Sequence, residues 1–184
     1  MNDLYDLSFH VENELTGVPE AVVKFTLRNT VREFCRRTHA WKMKTYSRID
    51  KEVCAYSASG FADAEVLAVT GVFMRRAGEK EFANITRSGF YRLEGNFIFL
   101  QPEVLTYNDG GEMVIESAVT PMFESANVPS DFLSRHSGAI ISGAVAELAK
   151  QKNRPWYNPE AYEVHSARYR GLVNSAMPAR NFHG

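Results

Sequence analysis

Cysteine and histidine are the residue types in this chain that could hold a metal ion or supply a nucleophile. Of the 184 residues, two are cysteine and five are histidine. Cys35 and His39 are four residues apart, so a continuous helix would turn both toward one metal ion. A structural zinc site needs four ligands, however, and no second pair has ligand spacing. No local signature marks Cys35 or Cys54 as a nucleophile. We therefore expect no metal, no cofactor and no catalytic residue, and we interpret both cysteines as small core residues.

Two Ser-Gly pairs, Ser137-Gly138 and Ser142-Gly143, are the positions where a hydrolase or a phosphate-binding loop would be sought. Both lie inside a predicted helix. They lack the strand-to-helix turn of a serine hydrolase and the Gly-Lys-Ser/Thr ending of a phosphate loop. We interpret these glycines as packing residues.

Two arginine pairs, Arg36-Arg37 and Arg75-Arg76, lie near aromatic residues. Such pairs can contact phosphates, and the rings can stack on bases. The formal net charge of -1, however, offers no overall attraction to nucleic acid. We expect solvated faces or salt bridges between subunits, and a nucleic-acid-binding accessory factor stays an alternative.

The composition is that of an ordinary globular domain, with 45% hydrophobic and 23% charged residues. No apolar run approaches the roughly 18 residues that would cross a bilayer, so we expect no membrane association. The first residues are acidic where a secretory signal would be basic. We expect the chain to stay in the cytosol where it is made, with its cysteines reduced.

The hydrophobic period of a helix occurs at both ends of the chain. One predicted helix begins at Pro19 and ends near residue 37, and a shorter helical or extended segment precedes it. A second covers residues 130–150, with Asp131 in an acidic first turn. A third begins at Asn158-Pro159, which are predicted as the N-cap and the first helical residue. Small residues fill the middle of the second helix, which predicts the close approach of another helix.

Between residues 42 and 121 the pattern changes to β-branched and aromatic segments separated by turn residues. Glu94-Gly95-Asn96 and the run Asn108, Asp109, Gly110 and Gly111 are predicted as hairpin turns. The predicted strands are residues 53–57, 65–74, 81–86, 89–93, 96–101 and 112–119. Since residues 97–100 are apolar at every position, we expect part of the sheet to be covered on both faces. The fold class is therefore α+β: an α-helical domain from residues 1–41 and 122–176, a central antiparallel β-rich insertion at 42–121, and a C-terminal tail at 177–184.

Two short patterns resemble the head-to-tail adaptor (connector) proteins of tailed bacteriophages, of the kind similar to tail tubular protein A. The first is Val18-Pro19 followed by the run from Arg32 to Trp41. The second is Ser142-Gly143-Ala144 followed by Arg154-Pro155-Trp156 and Asn158-Pro159. Their order and the helical-β-helical arrangement agree with that family over nearly the whole chain.

The resemblance implies a non-enzymatic virion protein at the head-tail junction, made in the cytoplasm of a host bacterium. It implies a homo-oligomeric ring, expected as a dodecamer, that binds the portal protein and extends the DNA channel. DNA would pass through the lumen without sequence-specific binding, and the ring would be the platform for tail nozzle or tail tube proteins. A tail-completion protein farther from the portal and a small enzyme without a recognisable motif stay alternatives.

Three groups of residues are candidate contact sites for such a ring. The C-terminal segment of the family reaches the portal, which implies a docking role for Met177, Pro178, Arg180, Asn181 and Phe182. The small residues Gly138, Ala139, Gly143 and Ala146 are a candidate contact between subunits. The predicted tip Asn108, Asp109, Gly110 and Gly111 would face the tail or a neighbouring subunit. Arg75 and Arg76 are expected to avoid the channel wall, because phosphate attraction would retard ejection.

Overall fold

The computed structural model describes residues 2–87 and 89–177 of the chain. A short 3-10 helix at Leu4–Leu7 follows the first strand. The elements in chain order are β1 Asn2–Asp3, α1 Ser8–Glu14, α2 Glu20–Thr38, β2 Lys42–Arg48, β3 Ala55–Ser57, β4 Ala64–Arg75, β5 Ala83–Asn84, β6 Tyr91–Glu94, β7 Phe97–Leu100, α3 Pro102–Tyr107, β8 Glu112–Pro121, β9 Asn127–Val128, α4 Ser130–Ala149 and α5 Pro159–Ala176.

The chain divides into two compact units. One, the helical unit, comprises Met1–Ala40 and Pro121–Gly184, and the other, the β unit, comprises Trp41–Thr120. The prediction of an α+β fold, with a helical domain built from both chain ends and a central antiparallel insertion, is confirmed.

The helical unit is built around α2, whose apolar residues recur every three or four positions. Val23, Leu27, Val31 and Phe34 are fully buried, and so is Cys35. This burial removes one continuous stripe of side chains from water, which is the main contribution to helix stability in a folded protein.

Both ends of α2 are closed by backbone hydrogen bonds. Pro19 lies at the N-cap and not at the predicted first helical position, and its carbonyl accepts from the N–H groups of Val22 and Val23 at 2.9 and 3.1 Å. At the other end His39 adopts the left-handed conformation, with φ of 51°, and its N–H donates to the Cys35 carbonyl at 2.8 Å. This geometry ends the helix one turn after its last buried aromatic residue.

The two C-terminal helices differ in how they begin. Asn158 caps α5 as predicted, since its side chain accepts a hydrogen bond from the Ala161 N–H at 3.0 Å. No side-chain capping bond begins α4, where Pro129 occupies the N-cap. Helix α4 compensates by burial, since most of its second half is inaccessible to solvent.

The β unit contains a four-stranded sheet of order β2-β8-β4-β5 and a three-stranded sheet of order β3-β7-β6, within the residues that are described. Strand β2 is antiparallel to β8 with Lys44 opposite Glu116, and the two side chains form an ion pair at 2.6 Å. The core of this unit includes Ile49, Ile98 and Met113.

The predicted hairpin at residues 94–96 is confirmed. Glu94 pairs with Phe97, and Gly95 has the positive φ, 56°, that such a two-residue turn requires. The Asn96 side chain then accepts from the Val66 N–H at 2.8 Å and donates to the Ala64 carbonyl at 2.9 Å, which attaches the hairpin to β4.

Two expectations for the β unit were wrong, and one strand was not predicted. Residues 108–111 are not a hairpin tip, because α3 precedes them and they connect that helix to β8. Strand β2 was not predicted, because most of its residues are polar or charged. Its side chains alternate between exposed and half-buried, but the sequence does not alternate between polar and apolar residues. Burial on both faces, which was expected for part of the sheet, occurs in β8, where the successive residues Met113, Val114 and Ile115 are all buried. In β7 it is incomplete, since Ile98 and Leu100 are buried, Phe99 is half-buried and Phe97 is exposed. Cys54 is exposed and precedes β3, so it is not a core residue.

No helix within residues 2–87 and 89–177 combines the length and hydrophobicity that a bilayer crossing requires.

Candidate protein-interaction surface

A groove of about 680 Å³ lies on the helical unit along α2. Residues of α4 and α5 form its other walls, and Gly143 and Tyr169 belong to them. Its rim carries Arg36 and Arg37, both exposed, at the end of α2. Glu33 and Glu147 also line the groove, which is therefore an open surface with charges of both signs, large enough for a side chain or a short segment of another protein.

Gly143 lies where three helices meet. A Cβ atom at this position would be 2.6 Å from Thr30 Cγ2 of α2 and 2.9 Å from Tyr169 Cε2 of α5. Distances under about 3 Å are below van der Waals contact between carbon atoms. Only glycine therefore permits this crossing, and the predicted close approach of helices is made within one chain.

The candidate contact between subunits at the small residues of α4 is not at the surface. Ala139, Gly143 and Ala146 are buried in the helical unit, and Gly138 is half-buried beside Arg168 of α5. These residues pack α4 within its own chain, so the structure does not present them to a second subunit. The helical period correctly indicated that α4 has an apolar face, but it did not indicate that helices of the same chain would cover that face.

Two hydroxyl groups of the groove have no hydrogen-bond partner among the described residues. They are Thr30 Oγ1 and Tyr169 Oη, and Thr30 is only 5% exposed. Burial raises the pKa of Tyr169 to about 12, although the nearby Arg37 guanidinium acts in the opposite direction. That guanidinium lies 5.9 Å from the centre of the Tyr169 ring. The phenol therefore stays protonated at neutral pH and cannot act as a base.

A second feature of the helical unit is a partly exposed cluster that we call the α2 patch: Phe25, Arg28, Arg32, Met122 and Phe123. The rings of Phe25 and Phe123 meet edge to face with centroids 6.3 Å apart. The guanidinium carbons of Arg28 and Arg32 lie 5.7 and 5.9 Å from the Phe123 ring centre. Arg32 also donates to the Pro121 carbonyl, which holds the segment that carries Phe123.

The α2 patch is apolar surface left in water. Phe25 is 48% exposed and Phe123 is 51% exposed. Fully burying one aromatic side chain contributes about 1.5–3 kcal/mol of free energy. A partner that covered both rings would gain part of this free energy for each ring, since each is already about half-buried. The sequence did not indicate the patch, because Phe25 and Phe123 are far apart along the chain.

A third feature is the solvent side of α5, which we call the α5 outer face: Glu160, Glu163, Val164, Ala167 and Gly171. Their spacing of three and four residues places them on one stripe of the helix. All five are exposed, and Val164 is 59% exposed. The opposite side of α5 carries His165 and Val173, which are buried.

His165 connects α5 to α1. Its Nε2 lies 3.6 Å from Glu14 Oε2, and it shares a cavity of about 280 Å³ with Ser142. Its Nδ1 has no partner among the described residues. The contact between His165 and Glu14 was not predicted from the sequence.

The arginines of the β unit make contacts inside that unit. Arg75 binds Glu112 at 2.7 Å and lies 4.8 Å from the Phe82 ring centre. The guanidinium carbon of Arg76 lies 3.5 Å from the Tyr107 ring centre. These side chains are therefore held by an acidic partner and by aromatic faces and not by solvent alone.

The predicted tail-facing residues are mostly enclosed. The Gly110 N–H donates to the Ile49 carbonyl at 2.9 Å, and the Gly111 N–H donates to the Asn108 carbonyl at 2.9 Å. Gly111 is buried, Asn108 and Gly110 are half-buried, and Asp109 is exposed. Of this group, Asp109 offers the most surface to a partner.

Of the candidate portal-docking residues, Met177 is described. It follows α5 in an extended conformation, is 39% exposed, and its N–H donates to the Val173 carbonyl at 3.0 Å. Pro178, Arg180, Asn181 and Phe182 lie outside the described residues.

Within the described part of the chain, no three His, Cys, Asp or Glu side chains are grouped so that they could hold a metal ion. No protein-family model matches the sequence, and a search of curated proteins found no match to it.

Proposed function

We propose that this protein is a structural subunit of a ring-shaped head-to-tail adaptor in a tailed bacteriophage. In this role it binds the portal protein, extends the DNA channel and forms the platform for tail attachment. Its chemistry is that of binding surfaces, and no step of bond making or breaking is assigned to it.

The observation that carries this proposal is the arrangement of the chain. A helical unit made from both chain ends is interrupted by an antiparallel β unit, which is the arrangement that the resemblance implies. Several apolar residues of the two matching patterns are also buried. Phe34 and Cys35 are buried, as are Trp41 and Trp156.

The exposed surfaces of the helical unit support the same role. A subunit of a closed ring contacts one neighbour through one surface and the other neighbour through a different surface. The α2 patch and the α5 outer face are two such surfaces on one unit. A contiguous exposed apolar patch such as the α2 patch is typical of proteins that assemble.

Native mass spectrometry of the protein mixed with the portal ring of the same genome tests the proposal. We expect a discrete complex with a fixed and symmetric number of copies per portal ring. Binding to tail tube or nozzle proteins without binding to the portal would contradict the adaptor role and favour a tail-completion protein. Failure to bind either class would contradict a junction role altogether. A mixture with duplex DNA, repeated at rising salt, is the control for a nucleic-acid-binding factor.

A further inference from the structure

We propose that the α2 patch of one copy binds the α5 outer face of a second copy, in a head-to-tail contact. This inference rests on the proposed ring function and names the two surfaces through which neighbouring subunits would meet.

The α2 patch has features that call for a partner with an acidic group beside an apolar one. Its two phenylalanine rings are about half exposed. The Arg28 side chain lies against Phe123, and its Nε atom is buried without a hydrogen-bond partner among the described residues. A buried donor that lacks an acceptor is destabilising, and more so when the group is charged. A carboxylate of a partner could pair with the charge of this guanidinium.

The α5 outer face has the complementary chemistry. Val164 is an exposed apolar side chain flanked by Glu160 and Glu163 on the same stripe. Neither glutamate belongs to an ion pair in the part of the chain that the structure describes. Glu160 and Glu163 also lie in the first turns of α5, so the unit presents two carboxylates beside one aliphatic side chain.

The two surfaces differ in charge, so each disfavours contact with itself. Two α2 patches would bring arginines together, and two α5 outer faces would bring glutamates together; like charges across an interface disfavour such pairings. Contact between unlike surfaces leaves one patch and one outer face free on every pair. Each added copy can then bind the next, and the contacts close into a ring where the rotation allows it.

Disulfide trapping on the full-length chain tests the contact. Phe123→Cys and Val164→Cys are made in separate chains that also carry Cys54→Ser, because Cys54 is exposed and Cys35 is buried. The two variants are mixed and oxidised, with and without the portal ring. Arg135→Cys, on an exposed residue of α4 that belongs to neither surface, is the matched control.

We expect the mixture to form a disulfide-linked heterodimer at least about tenfold more than either variant mixed with the Arg135→Cys control. A chain that carries both substitutions should form a ladder of dimers, trimers and longer species. Homodimers of Phe123→Cys in excess of the heterodimer would overturn the proposal, because they require contact between like surfaces. Yields no higher than the control, with and without the portal, would also overturn it.

A charge exchange distinguishes the specific contact from nonspecific association of the chains. Arg28→Glu, added to the Phe123→Cys chain, and Glu163→Arg, added to the Val164→Cys chain, should each lower the heterodimer yield. The two charge changes together should restore most of it, and failure to restore it in chains with unchanged circular dichroism would contradict the assigned charge pairing.

Portal binding is scored separately from the crosslink. If the chains bind the portal but do not form this crosslink, the result contradicts the contact between the two surfaces and agrees with the adaptor role. If the chains form the ladder but do not bind the portal, the result agrees with the contact and contradicts the adaptor role.

Discussion

His136 is a titratable side chain among the aromatic rings of the helical unit. Its ring centre lies 5.0 Å from those of Phe34 and Phe132. Burial lowers the pKa of His136 from its ordinary value of 6.5, and the neighbouring Arg135 charge acts in the same direction. The folded chain therefore binds this proton less readily than the unfolded chain does.

The stability that neutral His136 contributes is fully present above the ordinary pKa and is lost as the pH falls through the folded value. We expect the free energy of unfolding to fall less between about pH 7.5 and about pH 5 in His136→Phe than in the wild type. Urea unfolding followed by circular dichroism measures this difference. His10→Gln, at an exposed histidine, is the control. Equal pH dependence in His136→Phe and the wild type would show that the half-buried imidazole of His136 does not titrate as argued.

At the scale of the helix, two glycines give opposite predictions for the same substitution. A Cβ atom at Gly171 of α5 would meet nothing within 4 Å, whereas a Cβ atom at Gly143 of α4 would meet Thr30 and Tyr169. Gly171→Ala should raise the free energy of unfolding by about 0.5–1 kcal/mol through helix propensity. Gly143→Ala should lower it by about 1–3 kcal/mol, because the added methyl group overpacks the crossing.

The matched pair separates packing from propensity, because the chemical change is identical. Urea unfolding of both variants, monitored by the helical signal, gives the two values. If Gly143→Ala were as stable as Gly171→Ala, α2, α4 and α5 would not approach as closely as described.

At the scale of the whole molecule, we expect the C-terminal segment to be needed for attachment to the portal. A chain that ends at Ala176 lacks the segment from Met177 onward, to which we assign portal docking. We expect portal attachment to fall by at least about tenfold, since a few anchoring residues commonly carry most of an interface's affinity. Native mass spectrometry with the portal ring measures this. The disulfide ladder should persist in the shortened chain, and undiminished portal attachment would assign docking to another part of the molecule.

The local elements and their order follow from short-range patterns in the sequence. Apolar residues spaced three and four positions apart predicted α2 and α4. Asn158-Pro159 predicted the beginning of α5, because capping and φ preferences act within a few residues. The Gly95 turn was predictable for the same reason. From the order of helical and β segments followed the division into a helical unit from both ends and a central insertion.

Which apolar surfaces are covered depends on contacts between elements that are far apart in the chain. The period of α4 showed that its small residues share a face, but α2 and α5 of the same chain cover them, so Gly143 is not a contact for a second subunit. Strand β2 became evident through its pairing with β8, and the α2 patch through the meeting of Phe25 with Phe123. Each of these depends on residues that are distant in sequence. Periodicity fixes the direction of a side chain on its own element, whereas burial depends on which other element reaches it.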